Sequence, residues 1–442
     1  MTDDAVTGGP QAPVPRPRPE PRTRDCGCPE YNGVSRRSFL RIATAAGALA
    51  GLVSEGLATR LAFAAGPYDG DVLVVLSLRG GFDGLQAIVP AADPVYATWR
   101  PNVGIPANAL LPLDSFFGMH PAMAPLKPLW DAGSLGAVHA VGMSEPNRSH
   151  FEAMDLMERA APGTSLRTGW IDRMLGLRDT GTPFQGTQVG SNMAASAFLG
   201  PSSELAMWSV DSFGIDAAWD AEQRTLWDAA LRGLHEGAPP ALGEPARVAL
   251  GALATASELQ EAGYLPEHGA AYPDTYLGDA MKDVARLIKA GVGLQVAAVD
   301  YGDWDMHAGM GRVDGGWMRD HLMELSGALA AFATDLGSRM SDVTLITLTE
   351  FGRRVEENGS GGTDHGHGQV VLTMGGGVVG GKVQGTWPGL APGALLDGDL
   401  HATTDYRVLL AEVLEKRCRA GSVSGVFPGI GSERVGIVTQ RP

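Results

Sequence analysis

The sequence predicts an α/β fold built on a doubly wound, mostly parallel sheet. Short apolar runs rich in β-branched residues recur at 71–78, 294–301 and 343–350, as expected of strands that are buried on both faces. Longer segments between them carry apolar residues at helical spacing. Strands that alternate with helices favour a parallel sheet with helices on both faces.

The remaining elements follow in chain order from the same patterns. A short helix is predicted over 120–133, and the strand "GAVHAVG" then leads through the loop "MSEPNRSHF" into another helix. The region 216–290 reads as a helical insertion, and "TYLGDAMKDVARLIKAGVG" within it has one apolar face and a glycine stop. A long helix is predicted over 317–338, and "GQVVLTMGGGV" reads as a further strand.

The first 64 residues differ from the rest in composition. Residues 1–35 are rich in proline and arginine, which predicts a disordered extension. Residues 36–64 contain S-R-R-S-F-L-R, a modestly apolar run and the small-residue site Ala62-Phe63-Ala64, so they resemble a twin-arginine export signal. Glu55 and Arg60 interrupt the run, which argues against a membrane anchor.

This signal predicts export, with the twin-arginine translocase as a partner. The expected location is the periplasm, the cell surface or the extracellular space, with no transmembrane helix in the mature chain. Whether the signal is cleaved or kept as a tether stays open. Cys26 and Cys28 precede the cleavage site, so Cys418 would be left without an internal disulfide partner.

The charge of the chain limits its partners. A formal net charge of −16 argues against nucleic acid and against an anionic membrane surface. A small anionic substrate remains possible, because a bound metal ion can dominate the local field.

Acidic and histidine residues follow the predicted strands. Asp83 comes after the first strand, Asp305 and His307 after the 294–301 strand, and Glu350 closes the 343–350 strand. The nearby stretch "GGTDHGHGQ" adds Asp364, His365 and His367. Ligands bind beyond the carboxyl ends of the strands in sheets of this kind. Because carboxylates and imidazoles are metal ligands, these residues predict one or two divalent ions, with zinc, manganese and calcium all open.

Several segments carry a resemblance to a known family, the DUF1501 proteins, which are grouped with the alkaline phosphatase and sulfatase superfamily. They are "LSLRGGFDGL", "HPAMAPLKPLWDAG", "EPNRSHFEAMD", "GDWDMHAG", "TEFGRRVEENGSGGTDHGHGQ" and "HATTDYRVLLAEVL". The resemblance implies an alkaline phosphatase-like domain over 65–442. It also implies that Asp83 is the first metal ligand and that Asp305 and His307 form an aspartate–histidine pair, with Asp303 as a rival to Asp305.

The resemblance also implies a nucleophile at the start of the helix that follows the second strand. Ser149 is the first choice and Ser144 the rival, with Arg148 and His150 as neighbours that bind or protonate the substrate. The late Asp-His of the alkaline phosphatase and sulfatase superfamily is replaced here by Glu350-Phe351. The two arginines of "FGRRVEENG" are expected on a solvated face rather than as a clamp for an anionic group.

The predicted function is an exported metal-dependent hydrolase or transferase acting on a phosphate or sulfate ester. The alternative is a non-catalytic envelope or cell-surface protein that keeps the fold and one structural ion. Its partner would then be an envelope component rather than a small anionic ester. A third reading is a mononuclear zinc enzyme built on His307, His365 and His367.

Overall fold

A nine-stranded sheet is the centre of the described part of the chain. The computed structural model describes residues 68–215 and 220–442, so the predicted extension 1–35 and the export signal 36–64 lie outside the described residues. In chain order the strands are β1 (Val72–Leu78), β2 (Ile88–Val89), β3 (Leu111–Pro112), β4 (Gly118–Met119), β5 (Leu135–Gly142), β6 (Gly186–Val189), β7 (Leu205–Met207), β8 (Val296–Tyr301), β9 (Val343–Leu348), β10 (Arg353–Glu357), β11 (Thr363–His365), β12 (Gln369–Gly375), β13 (Val383–Gln384) and β14 (Thr404–Asp405).

Helices connect these strands. In chain order they are α1 (Gly84–Ala87), α2 (Tyr96–Trp99), α3 (Lys127–Asp131), α4 (His150–Arg159), α5 (Trp170–Leu175), α6 (Ala221–His235), α7 (Pro240–Ala262), α8 (Tyr276–Ala290), α9 (Trp317–Leu336) and α10 (Tyr406–Lys416). The helix predicted over 120–133 begins as a 3₁₀ segment, Pro121–Leu126, and becomes α-helical only in α3. Proline lacks the backbone N–H that an α-helix needs in its interior, and Pro125 lies inside this segment.

The strand order is β13-β5-β12-β9-β1-β8-β6-β7, with β14 also paired to β5. β9, β1, β8, β6 and β7 run parallel to one another. β12 is antiparallel to both β9 and β5, so β5 points the same way as β9. The predicted α/β class with a mostly parallel sheet is confirmed.

This topology collects one set of chain segments at a single edge of the sheet. The loops that follow β5, β8 and β9 all leave from the carboxyl ends of those strands. Because β12 runs in the opposite direction, the segment that precedes it starts from the same edge. Gln369, the first residue of β12, donates from Nε2 to the carbonyl of Thr349 at 2.6 Å, just beyond the end of β9.

Both faces of the sheet are buried. Val74, Leu76 and Leu78 of β1 lie in one apolar cluster with residues of α8 and α9. Leu73 and Val75 lie in a second cluster with residues of α4, α5 and α10. The alternation along one strand shows that helices cover the two faces, because successive side chains of a strand point to opposite sides.

The helix-rich region contains elements of two kinds. Leu277, Met281 and Val284 of α8 are buried in the core, as the apolar face of the sequence predicts. α6 leaves Leu226, Trp227 and Leu234 exposed. Across the described residues, no helix combines the length and apolar character needed to cross a bilayer.

Candidate metal centre

The glycine-rich segment "GGTDHGHGQ" lies against other backbone segments, and this explains its glycines. A Cβ on Gly362 would come within 2.3 Å of the Met306 carbonyl oxygen, and one on Gly366 within 2.4 Å of the Arg353 backbone. Only glycine allows such close approach of two chains. Within this segment Thr363–His365 form β11, which pairs with β10 and brings His365 beside the loop after β8.

Four side chains meet at this edge of the sheet. One potential metal-coordinating atom from each of His150, Asp305 and His365 lies within 4.8 Å of the other two. His365 Nε2 is 3.0 Å from His150 Nε2 and 3.1 Å from Asp305 Oδ1. His307 joins them, with its Nε2 2.9 Å from His365 Nε2 and 3.0 Å from Asp305 Oδ1.

The second nitrogen of each histidine faces a group that can only accept a hydrogen bond. His150 Nδ1 lies 2.7 Å from Glu350 Oε1. His307 Nδ1 lies 2.9 Å from Asp364 Oδ1. His365 Nδ1 lies 2.8 Å from the backbone carbonyl of Arg148. Each Nδ1 is therefore placed to donate a hydrogen bond, and an imidazole protonated there alone would turn an unprotonated Nε2 toward the others.

Such an arrangement places several lone pairs face to face. Two unprotonated nitrogens cannot hydrogen-bond to each other, and the carboxylate of Asp305 adds negative charge beside them. One additional proton would satisfy one or two of these contacts. A metal cation would satisfy all of these contacts, because each Nε2 and the Asp305 carboxylate would then coordinate the ion through a lone pair.

The residues fit a transition-metal ion. Donor atoms about 2.0–2.1 Å from a tetrahedral zinc ion would lie about 3.3 Å from one another. The contacts described above run from 2.9 Å to the 3.5 Å between His150 Nε2 and Asp305 Oδ2, and the three residues whose ligand atoms all lie within 4.8 Å of one another are His150, Asp305 and His365. Metal-binding histidines usually donate their other N–H to a carboxylate or a carbonyl, which is the pattern found here.

A buried arginine holds the carboxylate of the cluster. Arg353 is 2% exposed and donates from Nη2 to Asp305 Oδ1 at 2.5 Å, from Nε to the Gly81 carbonyl at 2.7 Å and from Nη1 to the Thr363 carbonyl at 3.0 Å. It therefore ties the segments after β1, β8 and β10 together. Burial raises the pKa of Asp305, but the bond and charge of Arg353 outweigh it and hold that pKa below its ordinary value. The expectation of a solvated face is wrong for Arg353.

Two of the predicted ligands serve the cluster from outside it. Glu350 accepts from His150, and it also accepts the backbone N–H of Gly80 at 2.9 Å. Asp364 accepts from His307 and from Asn358 Nδ2 at 3.0 Å. The hydrogen bonds of Asn358 and His307 hold the pKa of Asp364 below its ordinary value. Neither carboxylate is a member of the group of donors that converge within 4.8 Å.

Two other predicted ligands lie apart from the cluster. Asp83 is 2% exposed and pairs with Arg100 at 2.9 Å, while it also caps α1 through the backbone N–H of Gln86. His367 is buried, with Nε2 2.9 Å from the carbonyl of Met143. The structure therefore brings His307 and His365 together without His367.

The three residues predicted to be catalytic have different surroundings from those expected. His150 lies among the metal-binding candidates, with both ring nitrogens engaged. The Arg148 side chain is bound to Asp399 at 2.5 Å. The hydroxyl of Ser149 has no hydrogen-bond partner among the described residues, and it does not cap α4. The rival Ser144 is exposed, and Asp303 is exposed with a positive φ of 66°.

Sequence reasoning missed Arg353 and Asp399 as contributors to this site. The paired arginines of "FGRRVEENG", close to acidic residues and just after Glu350, are a sequence signal that could have pointed to Arg353. Asp399, in the segment "LDGDLHATTD", has no comparable signal, because its contact to Arg148 joins residues 251 positions apart.

Alkaline phosphatases are among the solved structures to which the chain is similar. The enzyme from Thermus thermophilus has 13% sequence identity and a TM-score of 0.27, with 69% of this chain and 64% of that chain covered. The enzyme from the Antarctic bacterium TAB5 has 9% identity and a TM-score of 0.26, with 69% and 92% covered. This chain thus spans less than two thirds of the Thermus enzyme. Scores this low carry no information about activity.

No curated protein matches the chain. A family model described as "Protein of unknown function (DUF1501)" matches residues 244–412. That segment contains Asp305, His307, Glu350 and His365, whereas His150 precedes it. The family model thus supports the predicted resemblance to the DUF1501 family over residues 244–412.

Proposed function

We propose that this protein is an exported, metal-dependent hydrolase of phosphate or sulfate esters. The observation that carries the proposal is the convergence of three histidine Nε2 atoms on the carboxylate of Asp305. His150, Asp305 and His365 would hold the ion, and His307 would complete the set. Compared with the ligands predicted from the sequence, this set adds His150 and leaves out Asp83, His367, Glu350 and Asp364.

The donor set favours zinc or manganese over calcium. Calcium takes six to eight oxygen ligands, whereas imidazole nitrogen suits first-row transition metals. A set of three nitrogens and one carboxylate also supports one ion rather than two. A bound ion of this kind would polarise an ester oxygen and provide activated water at neutral pH.

Residues around the ion would orient its histidine ligands and favour an anionic substrate. Glu350 and Asp364 keep His150 and His307 in the tautomer that presents Nε2. Helix α4 begins at His150, and the side chain of Ser149 leaves its first turn uncapped. The backbone amides of a helix start favour negative charge, which supports binding of a phosphate or sulfate group beside the cluster.

Water is a better candidate for the nucleophile than Ser149. A serine hydroxyl needs an adjacent base or a metal to become nucleophilic at neutral pH. The nearest ring, His150, has Nδ1 bonded to Glu350 and Nε2 in the cluster, so it has no nitrogen left to take a proton. The proposal therefore gives Ser149 no covalent role.

Metal analysis and substrate assays test this function. Protein exported in a native-like host should contain close to one equivalent of zinc or manganese by mass spectrometry of the metals. It should hydrolyse an aryl phosphate, a phosphodiester or an aryl sulfate, and His365→Ala should lose both metal and turnover. A wild-type protein that takes up neither metal on titration would rule the proposal out.

The second candidate is a non-catalytic envelope protein with one structural ion. It is favoured by a specific observation, since Arg148 and His150 are held by Asp399 and Glu350 and Ser149 lacks a base. The same experiment separates the two functions. Stoichiometric metal without turnover on any ester, combined with a large loss of stability when the metal is removed, would favour the structural role.

A further inference from the structure

Arg148 links the candidate metal centre to the buried carboxylate of Asp399, which has no direct contact with the centre. The backbone carbonyl of Arg148 accepts from His365 Nδ1 at 2.8 Å. Its side chain reaches Asp399, with Nη2 at 2.5 Å and Nε at 3.1 Å from Oδ2. Both ends of one residue are therefore fixed, one by a candidate ligand and the other by an acidic group.

The surroundings of Asp399 indicate that this contact is maintained at a cost. Asp399 is 1% exposed, and its Oδ1 has no hydrogen-bond partner. A buried carboxylate destabilises a fold unless it is paired and its oxygens are satisfied. Of the two carboxylate oxygens, the Arg148 guanidinium hydrogen-bonds only Oδ2, and Arg354 Nε lies 3.8 Å from Oδ1.

A tight turn presents this carboxylate to the arginine. Leu396 and Asp399 exchange backbone hydrogen bonds of 3.0 Å across Asp397 and Gly398, which have φ angles of 57° and 86°. The positive φ of Gly398 favours glycine, and a Cβ there would lie 2.1 Å from Arg354 Nη2 and would displace the end of that side chain. The turn and the arginines are fitted to each other.

We propose that Asp399 is a positioning residue for the metal centre and that it acts through Arg148. The inference rests on the proposed function. By holding the Arg148 side chain, Asp399 fixes the Arg148 carbonyl that keeps the Nδ1 proton on His365 and so leaves Nε2 free to bind the ion. Arg148 also precedes the ligand His150 by two residues, so the same contact fixes the chain that leads into α4.

The variant Asp399→Asn tests this role, and Asp397→Asn is its matched control. Asp397 lies on the same turn, 3.8 Å from the same guanidinium, but its side chain is 87% exposed. Zinc and cobalt titrations of the full-length protein should show affinity about tenfold weaker for Asp399→Asn, since outer partners of metal ligands contribute about 10–100-fold. Asp397→Asn should stay within about twofold of the wild type, as for other exposed ion pairs.

A second readout separates this inference from the proposed function. In the metal-free protein, ¹⁵N chemical shifts of the His365 ring report which nitrogen carries the proton. The wild type and Asp397→Asn should show His365 protonated at Nδ1, whereas Asp399→Asn should show a mixture of both tautomers. If the wild type binds no metal but Asp399→Asn still shifts the His365 tautomer, the proposed function is overturned and the positioning contact stands.

One set of results would overturn the inference itself. It is wrong if Asp399→Asn binds metal as tightly as the wild type and leaves the His365 tautomer unchanged. Should Asp399→Asn fail to fold, Arg148→Lys gives the same test, because lysine keeps the charge but loses the two-nitrogen contact of the guanidinium. A lysine variant with wild-type affinity and an unchanged tautomer would also contradict the role.

Discussion

Asp83 and Asp305 follow neighbouring parallel strands at the same edge of the sheet, yet their surroundings differ. Asp83 is closed off, with Arg100 at 2.9 Å, the N–H of Gln86 at 3.0 Å and Thr363 Oγ1 at 3.2 Å. Asp305 has a side chain that is 44% exposed and faces three imidazole nitrogens as well as Arg353. Position at a strand end therefore does not make an aspartate a metal ligand.

The difference lies in which charges each carboxylate meets. Asp83 meets a fully buried guanidinium that neutralises it and stabilises the start of α1. Asp305 meets Arg353 on one side and the Nε2 atoms of His150, His307 and His365 on the other. One aspartate belongs to the fold, and the other has the contacts expected of a binding site. The predictions below test this division, from the largest expected effect to the smallest.

The largest effect is expected for Asp83→Asn. This change leaves Arg100 buried without its counter-charge, so the free energy of unfolding should fall by about 3 kcal/mol. Denaturation in urea measures it, and metal affinity measured at low temperature should stay unchanged. The control Asp131→Asn breaks an exposed ion pair with Lys127 and should cost less than about 0.5 kcal/mol. Loss of metal binding with unaltered stability would make Asp83 a ligand after all.

His365→Ala should have the next largest effect, on metal binding rather than on folding. His365 contacts His150, His307 and Asp305 at once, so its loss should weaken zinc affinity by more than the roughly 100-fold upper value seen for outer partners. Competition with a chromophoric chelator measures this affinity. The metal-free variant should be about as stable as the metal-free wild type, because removal of the His365 ring relieves the repulsion of facing lone pairs.

The matched control for that variant is His235→Ala. His235 lies on α6, and its substitution should leave zinc affinity unchanged. If both histidine variants lose affinity equally, binding would reflect non-specific histidine contacts and not the cluster.

Glu350→Gln should produce a smaller loss. The neutral amide accepts a weaker hydrogen bond from His150 Nδ1 than the carboxylate does, so metal affinity should fall about tenfold. Glu356→Gln changes an exposed residue of β10 and serves as the control. Isothermal titration of both variants with zinc distinguishes them, and equal affinities would mean that Glu350 has no influence on the ion.

Ser149→Ala should have the smallest effect. Its hydroxyl makes no capping bond to α4, so the free energy of unfolding should change by less than about 0.5 kcal/mol. Metal affinity should not change, and any ester hydrolysis should persist, because water serves as the nucleophile. Complete loss of turnover with metal still bound would instead assign the nucleophile to Ser149, as the family resemblance implies.

Much of this fold follows from local pattern in the sequence. The apolar runs at β1, β8 and β9 are unambiguous because strands buried on both faces need apolar residues throughout. The apolar faces of α8 and α9 likewise identify their buried sides. The antiparallel direction of β12 was not accessible in this way, since pairing direction depends on distant partners.

The candidate site was accessible only in part. The sequence determined that acidic and imidazole side chains would gather at one sheet edge, because parallel strands present their carboxyl ends together. Tertiary structure alone decided which of them converge. Arg100 reaches Asp83 from 17 residues away, and Glu350 reaches His150 from 200 residues away. Electrostatic neutralisation over such separations depends on three-dimensional packing, so no local pattern of residues records whether an aspartate will face a guanidinium or a metal ion.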